Sequence, residues 1–334
     1  MKSITYLMAM LLMVACASTN ERNNEKEQTE KMEAIYKPGK NRITFESEGI
    51  ELVGNLYLPA DYKSGKEYPG VIVGGSWTTV KEQMAGLYAE KLAERGYATL
   101  AFDHRYYGES GGEPRFVELP QAKTEDFINA ANFMNSLSVV KSDNLGGMAV
   151  CASGGYMAEA IAQGANFKSF TAVVPWFNTD EIVDAFYGGA EGINDRIEKS
   201  RAANENYAQN GVMDYIPSIS DTDPNAAMFG PFEYYLNPEL GQVPNWSHDK
   251  FALASWEPWL TYRPLGAAKQ ISIPTLIITS ENAATPGPDQ AFFDNLQGEK
   301  EIVWLEGGQL DFYHNEEHVN KSVELLTGHF KKYL

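Results

Sequence analysis

Continuous apolar runs that end in glycine or a polar turn alternate with segments of helical period along most of this chain, and no other feature constrains its fold as strongly. "GVIVGGS" at 70–76 is unbroken and apolar, as a strand buried on both faces must be. Met84, Leu87, Tyr88 and Leu92 then recur at helical spacing, and Gly96 closes that helix. "YATLAFD" is a second buried strand. "TEDFINAANFMNSL" reads as a helix with acids in its first turn, where the macrodipole favours them. A strand to Val150, a helix from about Gly154 to Gly164 and the strand "FTAVVP" follow. Strand–helix alternation of this kind requires a parallel sheet with right-handed crossovers. Ahead of it, "RITFESEGIELVGNLYLPA" alternates and breaks at Glu48–Gly49, the pattern of a β-hairpin.

Residues 176–272 interrupt the alternation. They carry many aromatics, among them Phe186, Tyr187, Phe229, Tyr235, Trp246, Trp256 and Trp259, with several prolines and glycines. This segment reads as an insertion of short helices lying over the sheet edge. The sheet resumes with "IPTLIITS", a short helix through Ala291 and Phe292, "EIVWLEG" and a last helix. Val319, Val323, Leu326, Phe330 and Leu334 mark the buried stripe of that helix. One domain over 41–334 with a cap at about 176–272 is the expected organisation.

The N-terminus stands apart. "MKSITYLMAMLLMVAC" has one Lys and then an apolar run from Ile4 to Ala15, too short for a bilayer span of about 20 residues but suited to a signal peptide. Small Ala15 before Cys16 resembles a bacterial lipobox, although Met13 stands where Leu is usual. Residues 1–16 are therefore expected to be a lipoprotein signal peptide, with Cys16 the lipidated residue. The rival is an ordinary signal peptide with an incidental Cys. Residues 17–40 are polar, charged and poor in aromatics, a tether that cannot bury enough apolar surface to order itself. An exported protein anchored by lipid in the cell envelope, in the periplasm or at the outer membrane, is the expected location. The formal net charge of -18 argues against nucleic acid or an anionic membrane surface as partner, because phosphate binding needs clustered Lys and Arg. That leaves the lipid as the only expected membrane contact. Only Cys16 and Cys151 occur, so lipidation of the first leaves the second without an intrachain partner, either buried and inert or kept for chemistry.

Ligands of open α/β sheets bind beyond the carboxyl ends of the strands. Those ends present Gly74-Gly75-Ser76-Trp77-Thr78, then Asp103-His104-Arg105, then Cys151 and Ser153, then Ser280-Glu281-Asn282, then Gln309, Asp311, Tyr313 and His314. The stretch "GGMAVCASGGYMAEAIAQG" is a strand, a small-residue turn and a helix. Two registers of the turn are possible. One puts Cys151 at the tip, the other Ser153. The apolar strand runs out at Val150, which favours Cys151; the glycines after Ser153 favour Ser153. Outside catalysis, Cys151 would be a small buried hydrophobe and Ser153 a helix cap.

In order and spacing these segments resemble the α/β-hydrolase superfamily, and within it the dienelactone-hydrolase-like branch, over about residues 42–334. "GGSWTTVKEQMAGLYAEKLAERGYATLAFDHRYYGESGGEPR" is similar to the branch's strand 3, first helix and strand 4, "CASGGY" to its elbow, and "LEGGQLDFYHNEEHV" to its terminal histidine loop. The resemblance implies a mostly parallel, twisted sheet with helices on both faces, a nucleophile at the elbow, and an oxyanion site from the Ala152 N–H with a second N–H near Ser76 or Trp77. It implies no cofactor and no metal site. Two slots depart from the pattern. The usual histidine, two residues before an Asp-aromatic-Tyr step, is Gln309, and an amide cannot act as general base. The usual acid falls at Ala283, with Glu281 near but shifted.

A serine without a base is nearly inert, whereas a helix N-terminus can lower a thiol's pKa from about 8.5 towards neutral. The missing histidine therefore weighs against Ser153 more than against Cys151. Water must still attack the acyl-thioester, and Asp311, His314 or His104 could serve it. Each histidine is equally an ordinary packing residue. Arg105 is expected to pair with a carboxylate and hold its loop. The leading functional reading is esterase- or lactonase-type acyl hydrolysis through Cys151, with Ser153 second, on a small apolar acyl or ester ligand. Its rival is a degenerate hydrolase that binds a small molecule. A third reading gives Gln309 and Asp311 a chemistry unlike ester hydrolysis.

Overall fold

The computed structural model describes residues 36–334. The expected signal peptide, Cys16 and most of the expected tether lie outside the described residues. The sheet opens with β1 (Gly39–Ser47) and β2 (Ile50–Leu58), a hairpin in which Ser47 faces Ile50. Glu48 and Gly49 both take positive φ, 50° and 76°, as a two-residue turn matched to strand twist requires.

β3 (Tyr68–Gly74), β4 (Ala98–Phe102), β5 (Val140–Val150), β6 (Ser169–Val173), β11 (Thr275–Thr279) and β12 (Lys300–Trp304) complete an eight-stranded sheet ordered β1-β2-β4-β3-β5-β6-β11-β12. Within this sheet only β1–β2 and β2–β4 pair antiparallel. The chain steps from β3 to β4 in one direction and from β4 onward in the other. Right-handed crossovers then put the intervening helices on opposite faces. Met84–Ala93 packs with the last helix, Glu316–Tyr333, while Pro120–Ser136 packs with Ser153–Ala162. Val319, Val323, Leu326 and Phe330 are buried, so the helical stripe read from the sequence faces the sheet.

Two expectations need correction. The second helix starts at Pro120, four residues before Thr124, so Glu125 and Asp126 are not in its first turn. Proline is tolerated at a first helical position because the N–H there has no intrahelical partner. Asp126 is instead fully buried, and it pairs with Arg105, which holds the loop after β4. The cap, between β6 and β11, is not made of short helices alone. Asp180–Tyr187 ends at Gly188 (φ 83°), and a 22-residue helix, Gly189–Asn210, then runs to Gly211 (φ 68°). That long helix buries only Ser200 and Ala203, so its sequence has almost no apolar stripe to betray it. Four two-residue strands, β7 (Tyr215–Ile216), β8 (Ile219–Ser220), β9 (Met228–Phe229) and β10 (Phe251–Ala252), pair β7 with β10 and β8 with β9. Phe251, Trp256 and Trp259 of the cap pack on Trp77 beyond β3, which joins cap to sheet.

Candidate active site

β5 ends at Val150, and the next residue, Cys151, takes φ 55°. A non-glycine residue there costs on the order of 1–3 kcal/mol, so surrounding contacts must hold it. The Cys151 N–H donates to the Val173 carbonyl at 3.2 Å, and the Cys151 carbonyl accepts from Trp176 N–H at 2.9 Å and Gly154 N–H at 2.9 Å. Ser153 is the first residue of the following helix. Its side chain lies against Gly74, where an added Cβ would come within 2.7 Å of Ser153 Cβ. Gly154 is needed for a similar reason: a Cβ there would meet Pro175 at 2.7 Å. Cys151 and Ala152 line a cavity of about 490 Å³, whereas Ser153 is turned away beside β3. Of the two registers, the bend sits at Cys151.

The loop after β3 supplies the facing wall. The Ser76 N–H points at Met84 Sδ, 3.4 Å away. The Trp77 and Ala152 N–H groups are both directed at the Cys151 sulfur. Of the two loop amides expected as a second oxyanion donor, Trp77 is therefore the one so placed. Two bonds fix the loop just beyond. Thr78 N–H donates to Glu118 Oε2 at 3.1 Å, and Trp246 Nε1 donates to the Thr78 carbonyl at 2.9 Å.

Hydroxyl groups surround the sulfur where an imidazole was absent from the sequence. Ser76 Oγ lies 2.8 Å from the Tyr235 hydroxyl and 3.3 Å from the Tyr313 hydroxyl, and the Ser76 and Tyr313 hydroxyls both favour the charged form of Cys151. Gln309 is tied at three points. Its Oε1 accepts from Ala284 N–H at 3.0 Å; its Nε2 donates to the Val174 carbonyl at 2.8 Å and to the Tyr313 hydroxyl at 3.1 Å. Burial pushes the Cys151 thiol up, against the opposing pull of Ser76, Tyr313 and the two amides. The expectation of a lowered thiol pKa is thus reversed: the cap dries the site, and desolvation of the charged form outweighs the helix end. Burial, and then the charge of a Cys151 thiolate, also raise the Tyr313 phenol well above its ordinary range.

The remaining candidates divide. Asp311 lines the cavity, and its Oδ2 accepts from Gly308 N–H at 2.7 Å. Glu281 is exposed and does not line the cavity, and Ala283 leaves a methyl where an acid was expected. His314 bonds through Nδ1 to the Leu310 carbonyl at 3.0 Å, lies tilted against the Tyr234 ring and is not among the cavity residues. His104 lies away from the cavity. It is buried between Phe102 and Phe127 with Nδ1 3.3 Å from Asp126, and burial pulls its pKa down. No histidine lines the cavity among the described residues. Trp176, Phe186, Tyr187, Met228, Phe229 and Trp259 form most of its apolar wall. Sequence reasoning named Tyr313 only as a strand-end residue and Tyr235 only as a cap aromatic, with no site role for either, and it missed Glu118. The Asp-aromatic-Tyr step was the one available signal for Tyr313; Glu118 had none.

No protein-family model matches the chain. The uncharacterized protein PA2218 of Pseudomonas aeruginosa is 30% identical over 315 residues, spanning 88% of this chain and 80% of that protein. The uncharacterized protein YcjY of Escherichia coli K12 is 29% identical over 310 residues, spanning 88% and 99%. A protein of Aspergillus aculeatus described as a thiohydrolase is 25% identical over 271 residues, spanning 78% and 82%. The solved structure of PA2218 superposes with a TM-score of 0.79 at 27% identity, over 88% of this chain and 94% of that one. The α/β hydrolase GrgF of Penicillium gives 0.72 at 19% identity, over 87% and 99%. A dienelactone hydrolase of Anabaena variabilis gives 0.53 at 13% identity, over 90% and 100%. The chain therefore has the α/β-hydrolase fold, with the bend after β5 at its cavity, and it belongs to the same family as PA2218 of Pseudomonas aeruginosa.

Proposed function

We propose that the protein cleaves esters or lactones, thioesters among them, by passing an apolar acyl group through the Cys151 sulfur. The observation that carries this reading is the left-handed bend at Cys151, which turns that residue into the cavity with two amides directed at it. Those amides suit the oxygen of a tetrahedral intermediate. The apolar wall suits the acyl part of a small molecule. The fungal relative described as a thiohydrolase supports including thioesters.

The test is a burst assay with short p-nitrophenyl esters, with mass spectrometry of the trapped protein. Wild type and Ser153→Ala are expected to gain one acyl mass; Cys151→Ala is expected to gain none. Labelling that persists in Cys151→Ala would remove the proposal.

A second reading is favoured by Gln309, whose polar atoms are all tied within the protein. On that reading the cavity binds an apolar ligand without cleaving it. Saturable binding with no acyl mass for any ester would select it. The expected anchor at Cys16 would hold either protein at a membrane. Cys16→Ser is then expected to move the chain from the membrane pellet to the soluble fraction.

A further inference from the structure

We propose that the Tyr313 hydroxyl is the proton carrier of this site, linking the Cys151 sulfur to the group that leaves or attacks. This rests on the acyl-transfer reading above.

The argument begins at Gln309. Its amide can adopt only one orientation, because Ala284 presents a donor to one end and Val174 an acceptor to the other. Nε2 therefore faces Tyr313 as a donor at 3.1 Å. The Tyr313 oxygen accepts that hydrogen, so its own hydrogen must point elsewhere. Its other polar neighbours are Ser76 Oγ at 3.3 Å, the Tyr235 hydroxyl and the Cys151 sulfur. Gln309, standing in the histidine slot, thus fixes the direction of the neighbouring phenol without touching a proton itself. Tyr313 also lines the cavity, within reach of a bound ester.

A neutral phenol can serve as a relay, accepting one hydrogen as it gives up another. In acylation the sulfur bonds to the carbonyl carbon and the carbon–oxygen bond to the alcohol breaks. The thiol hydrogen passes to the Tyr313 oxygen while the Tyr313 hydrogen passes to the leaving oxygen, which takes the electron pair of the broken bond. In deacylation water bonds to the same carbon and the carbon–sulfur bond breaks. A water hydrogen passes to Tyr313, and the Tyr313 hydrogen returns to the sulfur. Tyr313 is neutral before and after each step, so no imidazole is required. The raised pKa of the phenol keeps it neutral between the steps.

The test is leaving-group dependence, measured as the rate of acyl-enzyme formation from an alkyl ester and a p-nitrophenyl ester of one acyl group. Both esters need the thiol hydrogen removed, but only a poor leaving group also needs one delivered, since p-nitrophenolate leaves as the anion. Tyr313→Phe, which removes a single oxygen, is expected to slow the alkyl ester by about 100-fold or more and the p-nitrophenyl ester by less than about tenfold. Gln309→Met, which keeps the side-chain length and removes the donor, is expected to shift the ratio in the same direction by less. It also provides the reading if the Phe variant does not fold. Equal slowing of both esters, or no slowing, would overturn the relay while leaving Cys151 acylation in place. Failure of wild type to form an acyl-enzyme from either ester would overturn the acyl-transfer reading and the relay together.

Discussion

The amide oxygen of Gln309 faces a backbone N–H, that of Ala284, and this limits what an imidazole could do in its place. In a working triad the far nitrogen of the imidazole carries hydrogen and gives it to a carboxylate. Here that nitrogen would meet a donor, with only the methyl of Ala283 nearby in the acid slot. Gln309→His alone is therefore expected to leave ester turnover unraised. Gln309→His with Ala283→Asp is expected to raise it about 100-fold or more over the single variant, because a wrongly held tautomer costs on the order of 10⁴ in such sites. Steady-state kcat/KM for the three proteins decides it; a large gain in the single variant would refute the argument. The thiol permits a second expectation. Its pKa is raised, and the thiolate is the form that alkylates. The pH midpoint of Cys151 alkylation by a small neutral reagent should lie above that of a free thiol, about 8.5, and a midpoint below it would contradict the burial argument. At this scale the sequence was legible in chemistry and ambiguous in geometry. It named Cys151, Gln309 and Asp311 as strand-end residues, all of which line the cavity. It could not choose between Cys151 and Ser153, because small neighbours fit both registers and the sign of φ depends on what β6 and the cap press against the turn.

Glu118 links several elements at one carboxylate. Its Oε2 accepts from Thr78 N–H, the Tyr107 hydroxyl and Lys123 Nζ, and its Oε1 accepts from the Tyr156 hydroxyl at 2.6 Å. The loop after β3, the loop after β4, the Pro120–Ser136 helix and the helix behind the elbow meet there. Both Glu118 and Lys123 are buried, with Lys123 Nζ over the Tyr107 and Tyr156 rings. Removing one partner of such a pair leaves an uncompensated charge and costs about 3–5 kcal/mol, whereas replacing both by matched groups can be nearly neutral. Glu118→Gln is expected to destabilise by about 3 kcal/mol in urea unfolding, and Glu118→Gln with Lys123→Met to recover most of it. A double variant no better than the single would show that the charge pair is not what matters. Nothing in "VELPQAK" signals this pair, since Glu and Lys in a polar stretch read as surface. The elements themselves were easier. Strand runs such as "GVIV" and "TLIIT" are legible because burial on both faces leaves no polar positions. The Gly189–Asn210 helix was not, because most of it faces water.

Across the whole molecule, the cap and the sheet share the main hydrophobic cluster, and a second, small cluster joins Ala203, Met213, Ala252 and Ala254 of the cap to Val117 of the loop after β4. Residues as distant as Leu56 in β2, Phe177 after β6, Trp256 in the cap and Phe330 in the last helix belong to the main cluster. A cap built as a separate lid would have a core of its own and could open or melt alone. This one has its aromatic centre, Phe251, Trp256 and Trp259, packed directly on Trp77 at the end of β3. The same contact carries the amide that faces Cys151, so cap packing and site geometry are one structural problem. Cap and sheet are therefore expected to unfold in a single transition, with tryptophan fluorescence and far-UV circular dichroism coincident. Trp176, Trp246, Trp256 and Trp259 lie between β6 and β11, so the fluorescence reports mainly on the cap. Phe251→Ala removes a fully buried ring and should cost about 3–5 kcal/mol, moving both probes by the same amount. A fluorescence transition at lower denaturant than the dichroism, in wild type or in Phe251→Ala, would show instead that the cap melts by itself and that the pocket can open without unfolding the sheet.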